Sequence, residues 1–366
     1  MSSLTVLLLG FAAFDGLVLG WALVGDCPRG EAVLLRLSTL GALWMARWMV
    51  MLAFGLEAFF GTIHLLYVDA VVGIPVAALF VLLRTRGRGV ARALLIGAAA
   101  ALLLALLGAY ASLVEPQRLV VERAEVAVPS QRAGGEVIRV GVLADLQTSD
   151  VGAHEREAVN RLLDLEPDVI MIPGDVFDGS AAELERERGA MVGILSRLRA
   201  PHGTFAVIGD TDPQHVSEEL LEPAGIELLR NEVAEIDLGD RRLSIAGVNK
   251  ETAGARAAAR AFERRPGARD IRLLLGHRPD IVLDLAPDSR VDLTVAGHTH
   301  GGQVQIPLFG PPVTLSEVPR EVAAGGLHEV GEGRLVYVSR GVGMERGQAP
   351  HVRLGAVPEV TLIELG

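Results

Sequence analysis

Residues 4–24 form a nearly uncharged apolar run, long enough to cross a hydrocarbon core of about 30 Å as a helix. Three more apolar zones follow, at about residues 37–60, 65–83 and 93–114. Nothing basic precedes the first run and further spans succeed it, which argues against a cleaved signal peptide. The pattern predicts an N-terminal transmembrane bundle of about four helices over residues 1–114. Arg47 falls near the middle of the second. An alternative keeps Arg36 and Arg47 on an interfacial helix, with Trp44 and Trp48 at headgroup level. Arg47, Glu57 and His64 read either as an intramembrane polar site or as a snorkelling arginine beside two interfacial residues.

The charges separate the chain in two. Of its 45 acids and 34 bases, only five and seven precede residue 115, so the remainder carries a net −13. A domain this acidic repels phosphate backbones, which excludes non-specific nucleic-acid binding. One cysteine, Cys27, excludes an intrachain disulfide framework and a cysteine-based zinc cluster. Arg84, Arg86, Arg88 and Arg92 form the strongest basic cluster beside any span. Short basic loops stay cytoplasmic, so the last span leads outward and the globular part is expected to be extracytoplasmic.

Residues 115–136 read as a polar linker with one strand over 119–128. Residues 137–366 then alternate short apolar runs with helical spacings. Strands are expected near 137–144, 168–172, 204–208, 226–229, 243–248, 271–275, 293–296, 335–339 and 360–363. Helices are expected at 152–165, 181–198 and 255–265. This alternation predicts an α/β globular domain with a sheet packed on both faces.

The polar residues fall at the strand ends. Asp145-Leu146-Gln147 follows one strand, and Gly174-Asp175-Val176-Phe177-Asp178 another. Gly209-Asp210-Thr211-Asp212, Gly276-His277 and Gly297-His298-Thr299-His300-Gly301-Gly302 follow three more. Singly, an Asp after a strand is a turn or cap former. Ligands in α/β sheets bind at the carboxyl ends of strands. Five such ends supplying carboxylates and imidazoles point to divalent metals.

In these motifs, in this order, residues 137–365 resemble the calcineurin-like metallophosphoesterases, and most of all the membrane-anchored bacterial branch. The resemblance implies a two-layer β-sandwich flanked by helices, with two divalent ions at its rim. One ion would take Asp145, Asp175 and His300. The other would take Asp175, His277 and His298, with Asp210 where the family has asparagine. Such a pair, roughly 3.5–4 Å apart, acidifies a water between them and clamps phosphoryl oxygens for in-line attack. Mn²⁺ is expected first, with Mg²⁺, Fe or Zn²⁺ as alternatives.

Three positions depart from the family pattern. Gln147 replaces a histidine that binds the first metal, and Asp210 replaces a neutral amide. Thr211 replaces the histidine beside the leaving group. Exchanging an imidazole for oxygen donors hardens the ligand set and favours Mn²⁺, Mg²⁺ or Ca²⁺ over Zn²⁺. Thr211 cannot act as a general acid near neutral pH, a loss of roughly 10²–10⁴-fold unless another group substitutes. Asp212 and His215, in the same turn, are the candidate substitutes. Arg278 and Arg340 read equally as phosphate clamps or surface ion pairs, and His154 and His202 as solvated loop residues. The expected function is hydrolysis of phosphoester or pyrophosphate bonds, of a phospholipid head group or another substrate at the membrane. The alternative is a catalytically impaired scaffold or sensor with the same fold.

Overall fold

β-Branched and leucine-rich runs bounded by Gly, Pro and Asp become short strands here, because their side chains fill both faces of a pleat. The computed structural model describes residues 3–24, 30–53, 55–85, 92–129, 132, 134–213, 215–249, 253–267 and 269–366. The chain divides into two units. One is Met1–Val114 with Glu345–His351; the other is Glu115–Met344 with Val352–Gly366.

Among the described residues, the second unit holds twelve strands in two mixed sheets. In chain order they are β1 (Val120–Val126), β2 (Ile138–Val142), β3 (Val169–Ile172), β4 (Thr204–Ala206), β5 (Glu227–Leu228) and β6 (Glu232–Asp237). Then come β7 (Arg242–Val248), β8 (Asp270–Gly276), β9 (Leu293–Ala296), β10 (Gly326–Glu329), β11 (Leu335–Val338) and β12 (Glu359–Leu365). The first sheet runs β1-β12-β2-β3-β4-β5 and the second β10-β11-β9-β8-β7-β6. The pairs β2–β3, β3–β4, β7–β8 and β8–β9 are parallel. Their connections therefore cross over through helices and leave the strand carboxyl ends free for loops.

Side-chain alternation builds the layers. Val140, Val142, Val169 and Met171 face Leu243, Ile245, Leu273 and Val295 across the two sheets. The intervening Ile170 and Ile172 turn the other way, onto Val159, Leu162, Met191 and Leu195 of the helices Ala153–Leu163 and Ala181–Leu195. On the second sheet, Ala246, Val248 and Leu274 pack against Ala255, Ala259 and Phe262 of the helix Ala253–Glu263. Each large buried side chain contributes about 1.5–3 kcal/mol, and a slip of one residue in register would exchange the two faces. Ser180 starts the second helix with a capping box: its Oγ accepts the Glu183 N–H and Glu183 returns a bond to the Ser180 N–H.

The strand expected over 119–128, within the stretch 115–136, is present. Residues 120–126 form the edge strand β1, in parallel register with β12 from Val120–Glu359 to Val126–Leu365. The polarity of this stretch suits an edge strand, which shows one face to water. Its exposure alternates along the strand, as that position requires.

In the first unit, among the described residues, two helices are long and apolar enough to cross a membrane: Phe60–Thr85 and Leu95–Gln117. They coincide with the third and fourth expected zones. The first zone is the helix Ser3–Val24, with a shorter apolar core at Val6–Trp21. The second zone lies on the helix Gly30–Ala53. Arg47 on that helix does not snorkel: only 8% of its side chain is exposed, and it pairs with Asp69 at 2.7 Å and with Asp15. Trp44 Nε1 also donates to Asp69, at 2.8 Å. Glu57 is exposed, and His64 Nδ1 lies 3.2 Å from the Gln348 carbonyl, so the two do not join Arg47. Cys27, Arg86 and Arg88 lie outside the described residues.

Candidate metal centre

Each predicted ligand sits just past a strand, where the chain must turn at once. Asp145, Gln147, Asp175, His298 and His300 all hold a positive φ, between 38° and 71°. Non-glycine residues avoid that region, and each costs of order 1–3 kcal/mol unless its surroundings enforce it. Strain gathered on so many predicted ligands is a mark of a functional site. The loops also approach each other closely. A Cβ on Gly209 would collide with the Asp175 carboxylate, and one on Gly297 with Asp145.

Two groups of ligand atoms result, each within 4.8 Å of one another: Asp210, His277 and His298, and Asp145, Asp175 and His277. His277 Nε2 lies 3.4 Å from Asp175 Oδ2 and 3.8 Å from Asp210 Oδ2. His298 Nδ1 lies 3.4 Å from Asp210 Oδ2. The opposite ring atoms decide what these nitrogens can do. His277 Nδ1 is 2.8 Å from the Pro173 carbonyl, and His298 Nε2 is 3.2 Å from the Leu315 carbonyl. A carbonyl only accepts, so those atoms carry the protons. The lone pairs are left on His277 Nε2 and His298 Nδ1, turned toward the carboxylates. His277 Nε2 is buried without a hydrogen-bond partner. Such fixing of the tautomer by a carbonyl is how proteins orient metal-binding histidines.

Electrostatics agree with a cation's place. Burial pushes the Asp145 carboxyl well up, and the Asp175 charge adds to it. Burial and the Asp210 charge bring Asp175 to about 6, against the opposing Thr211 N–H. Burial lowers both His277 and His298, the latter to about 4, so both imidazoles are neutral. Desolvation works against the Asp210 charge, but two hydrogen bonds from Arg278, at 2.6 and 2.8 Å, and its positive charge hold that carboxyl below its ordinary range.

The remaining predicted residues divide. Gln147 Nε2 donates to Asp178 at 3.3 Å. Thr211 supplies its backbone N–H to Asp175 Oδ1 at 2.8 Å, while its hydroxyl donates to the Phe177 carbonyl at 3.3 Å. Asp212 is tied to its neighbours. Its carboxylate accepts backbone N–H bonds from Asp175, Val176, Phe177 and Gly209, at 2.9, 2.8, 3.2 and 2.9 Å. Those bonds clasp two ligand loops together, a structural tie that the sequence did not announce. His215 is exposed, and its backbone carbonyl accepts the Glu219 N–H. Arg340 binds Glu122, Glu359 and the Val357 carbonyl, which makes it part of the β1–β12 edge and not a phosphate clamp. His154 Nε2, at the start of the helix Ala153–Leu163, lies 3.1 Å from the Val342 carbonyl, a tie to another segment in place of the solvated loop role expected.

Arg353 was not among the expected residues. Fully buried, it reaches the His300 carbonyl at 3.1 Å and His300 Nδ1 at 3.2 Å. No local pattern announces this; a single Arg in an apolar stretch only hints at burial.

The calcineurin-like phosphoesterase family profile matches residues 138–302. Phosphodiesterase YaeI of Escherichia coli (strain K12) is 36% identical over 217 residues, covering 57% of this chain and 74% of that protein. An uncharacterized metallophosphoesterase of Aquifex aeolicus (strain VF5) is 31% identical over 271 residues, covering 71% of this chain and 96% of that one. This chain belongs to the calcineurin-like phosphoesterase family. Another similar relative is the uncharacterized metallophosphoesterase YkuE of Bacillus subtilis (strain 168), 29% identical over 273 residues, 70% of this chain and 88% of that one. A calcineurin-like phosphoesterase uses divalent metal, and the lone pairs of His277 and His298 fit that chemistry.

Proposed function

We propose that this protein is a metal-dependent phosphodiesterase whose ion is held by Asp175, Asp210, His277 and His298. The observation that carries the reading is the convergence of two imidazole lone pairs on two carboxylates, each tautomer set by a backbone carbonyl. The printed name of the Escherichia coli relative supports the bond type. A divalent ion bound there supplies Lewis acidity to a phosphoryl oxygen and acidifies water. Arg278, with 35% of its side chain exposed beside Asp210, offers a cation to a second phosphoryl oxygen. No side chain in the Asp210–Asp212 turn is placed as a proton donor, so diesters and pyrophosphates with good leaving groups are the favoured substrates. The apolar helices Phe60–Thr85 and Leu95–Gln117 support a membrane anchor. On this reading several spans hold the domain outside the cytoplasm, next to phospholipid head groups.

Full-length protein in detergent with Mn²⁺ should hydrolyse an aryl phosphodiester, and a chelator should abolish turnover. Metal-loaded protein without turnover on a phosphodiester, a phosphomonoester and a pyrophosphate would overturn the proposal in favour of a metal-binding scaffold. That second reading draws on Thr211 and Asp212, whose polar groups are spent on loop backbone.

Acid should loosen the ion. The Asp175 carboxyl must ionise to bind metal, and it sits at about 6 in place of 3.8. Protons compete below that value, so apparent Mn²⁺ affinity should fall about tenfold between pH 7 and pH 5. His298, at about 4, stays neutral over that window and adds nothing. In metal-free protein the sign reverses. The native Asp175 carboxyl binds its proton more tightly than the unfolded one, so its stabilising contribution is lost as pH rises through about 6. Calorimetric titration with Mn²⁺ at the two pH values checks this; equal affinities would contradict it.

A further inference from the structure

We infer that the centre holds one divalent ion per chain, because Arg353 occupies electrostatically the place where a second would bind. The inference rests on the metal-dependent reading above and narrows it.

The physics that fits His277 and His298 for an ion unfits His300. All five N–H groups of a guanidinium donate, and none accepts. Arg353 Nη2, 3.2 Å from His300 Nδ1, therefore needs the lone pair on that atom. A neutral His300 then carries its proton on Nε2, the atom left to face an ion. That Nε2 is buried without a hydrogen-bond partner. His300 also belongs to neither group of clustered ligand atoms among the described residues. Arg353 is itself held firmly, by the carbonyls of His300 at 3.1 Å, Ala356 at 3.0 Å and Gly343. It cannot swing away without stranding a buried cation.

Asp145 tells the same story from the other side. Both its oxygens accept the His298 backbone N–H, each at 3.0 Å. The imidazole expected at position 147 is an amide, turned toward Asp178. The Asp145, Asp175 and His277 group would need His277 Nε2, which also faces the Asp210 side. One lone pair serves one ion. The complete set is Asp175, Asp210, His277 and His298.

The test counts metal in full-length protein in detergent after dialysis against Mn²⁺. One equivalent is expected, with the electron paramagnetic resonance spectrum of an isolated ion. His298→Ala should lose it and His300→Ala should keep it. Two equivalents, or a spectrum of coupled ions, or loss of one of two equivalents in His300→Ala, would overturn the inference. Arg353→Met frees His300 Nδ1 and removes the buried cation, so a second equivalent should appear. A folded Arg353→Met protein that still binds one would count against Arg353 as the cause. Should that variant not fold, the His300→Ala count decides alone. Turnover separates the two proposals: one ion without hydrolysis sinks the proposed function and leaves this inference standing, and two ions with hydrolysis do the reverse.

Discussion

Asp175→Asn should strip the divalent ion and lower phosphodiester turnover by about three orders of magnitude, on the order of 4 kcal/mol of transition-state stabilisation. The carboxylate works at both oxygens. Oδ1 accepts the Thr211 N–H at 2.8 Å, and Oδ2 faces His277 Nε2 at 3.4 Å. An asparagine has one oxygen. With its NH₂ at the first position, two donors meet; at the second, a donor points where a cation belongs. The fold should survive, because the metal-free protein loses a buried carboxyl whose proton it holds up to about 6. Metal analysis, turnover and a thermal melt of the same preparation read these effects separately. Retained metal with turnover within tenfold of the parent would refute the assignment.

Asp212→Ala should instead destabilise the domain. Four backbone N–H groups, of Asp175, Val176, Phe177 and Gly209, would lose their acceptor in a site where Asp212 is only 9% exposed. Each stranded donor costs about 1–3 kcal/mol, so the sum is roughly 4 kcal/mol or more. That lowers the melting temperature by about 10 °C or more for a domain of this size. Asp212→Asn keeps one acceptor and should fall between. A variant that melts like the parent but turns over slowly, with an altered alkaline limb of its pH profile, would return Asp212 to the proton-donor role.

Most strand positions, though not β6 or β10, and the loops that carry Asp145, Asp175, Asp210, His277 and His298 were legible because they depend on local pattern. An apolar run that stops at Gly-Asp or Gly-His must leave the sheet there, whatever it packs against. The role of each side chain was not local. Thr211 and Asp212 share one turn, yet one lends its N–H to Asp175 and the other clasps two loops. Adjacency in sequence does not fix direction in space. The same holds in the helical unit, where Arg47 finds Asp15 and Asp69 from two other helices and not the nearer Glu57.

The sequence by itself determined the division into an apolar front and an acidic α/β back, and named the candidate residues for binding a cation. Periodicity and residue type are sufficient for both. Tertiary structure alone decided which of those residues present a lone pair. Pro173 and Leu315 lend carbonyls to two histidines, and Arg353 lends a guanidinium to the third. An imidazole has two nitrogens and one mobile proton, so its partner on the far side chooses which atom can bind, and that partner comes from a distant part of the chain.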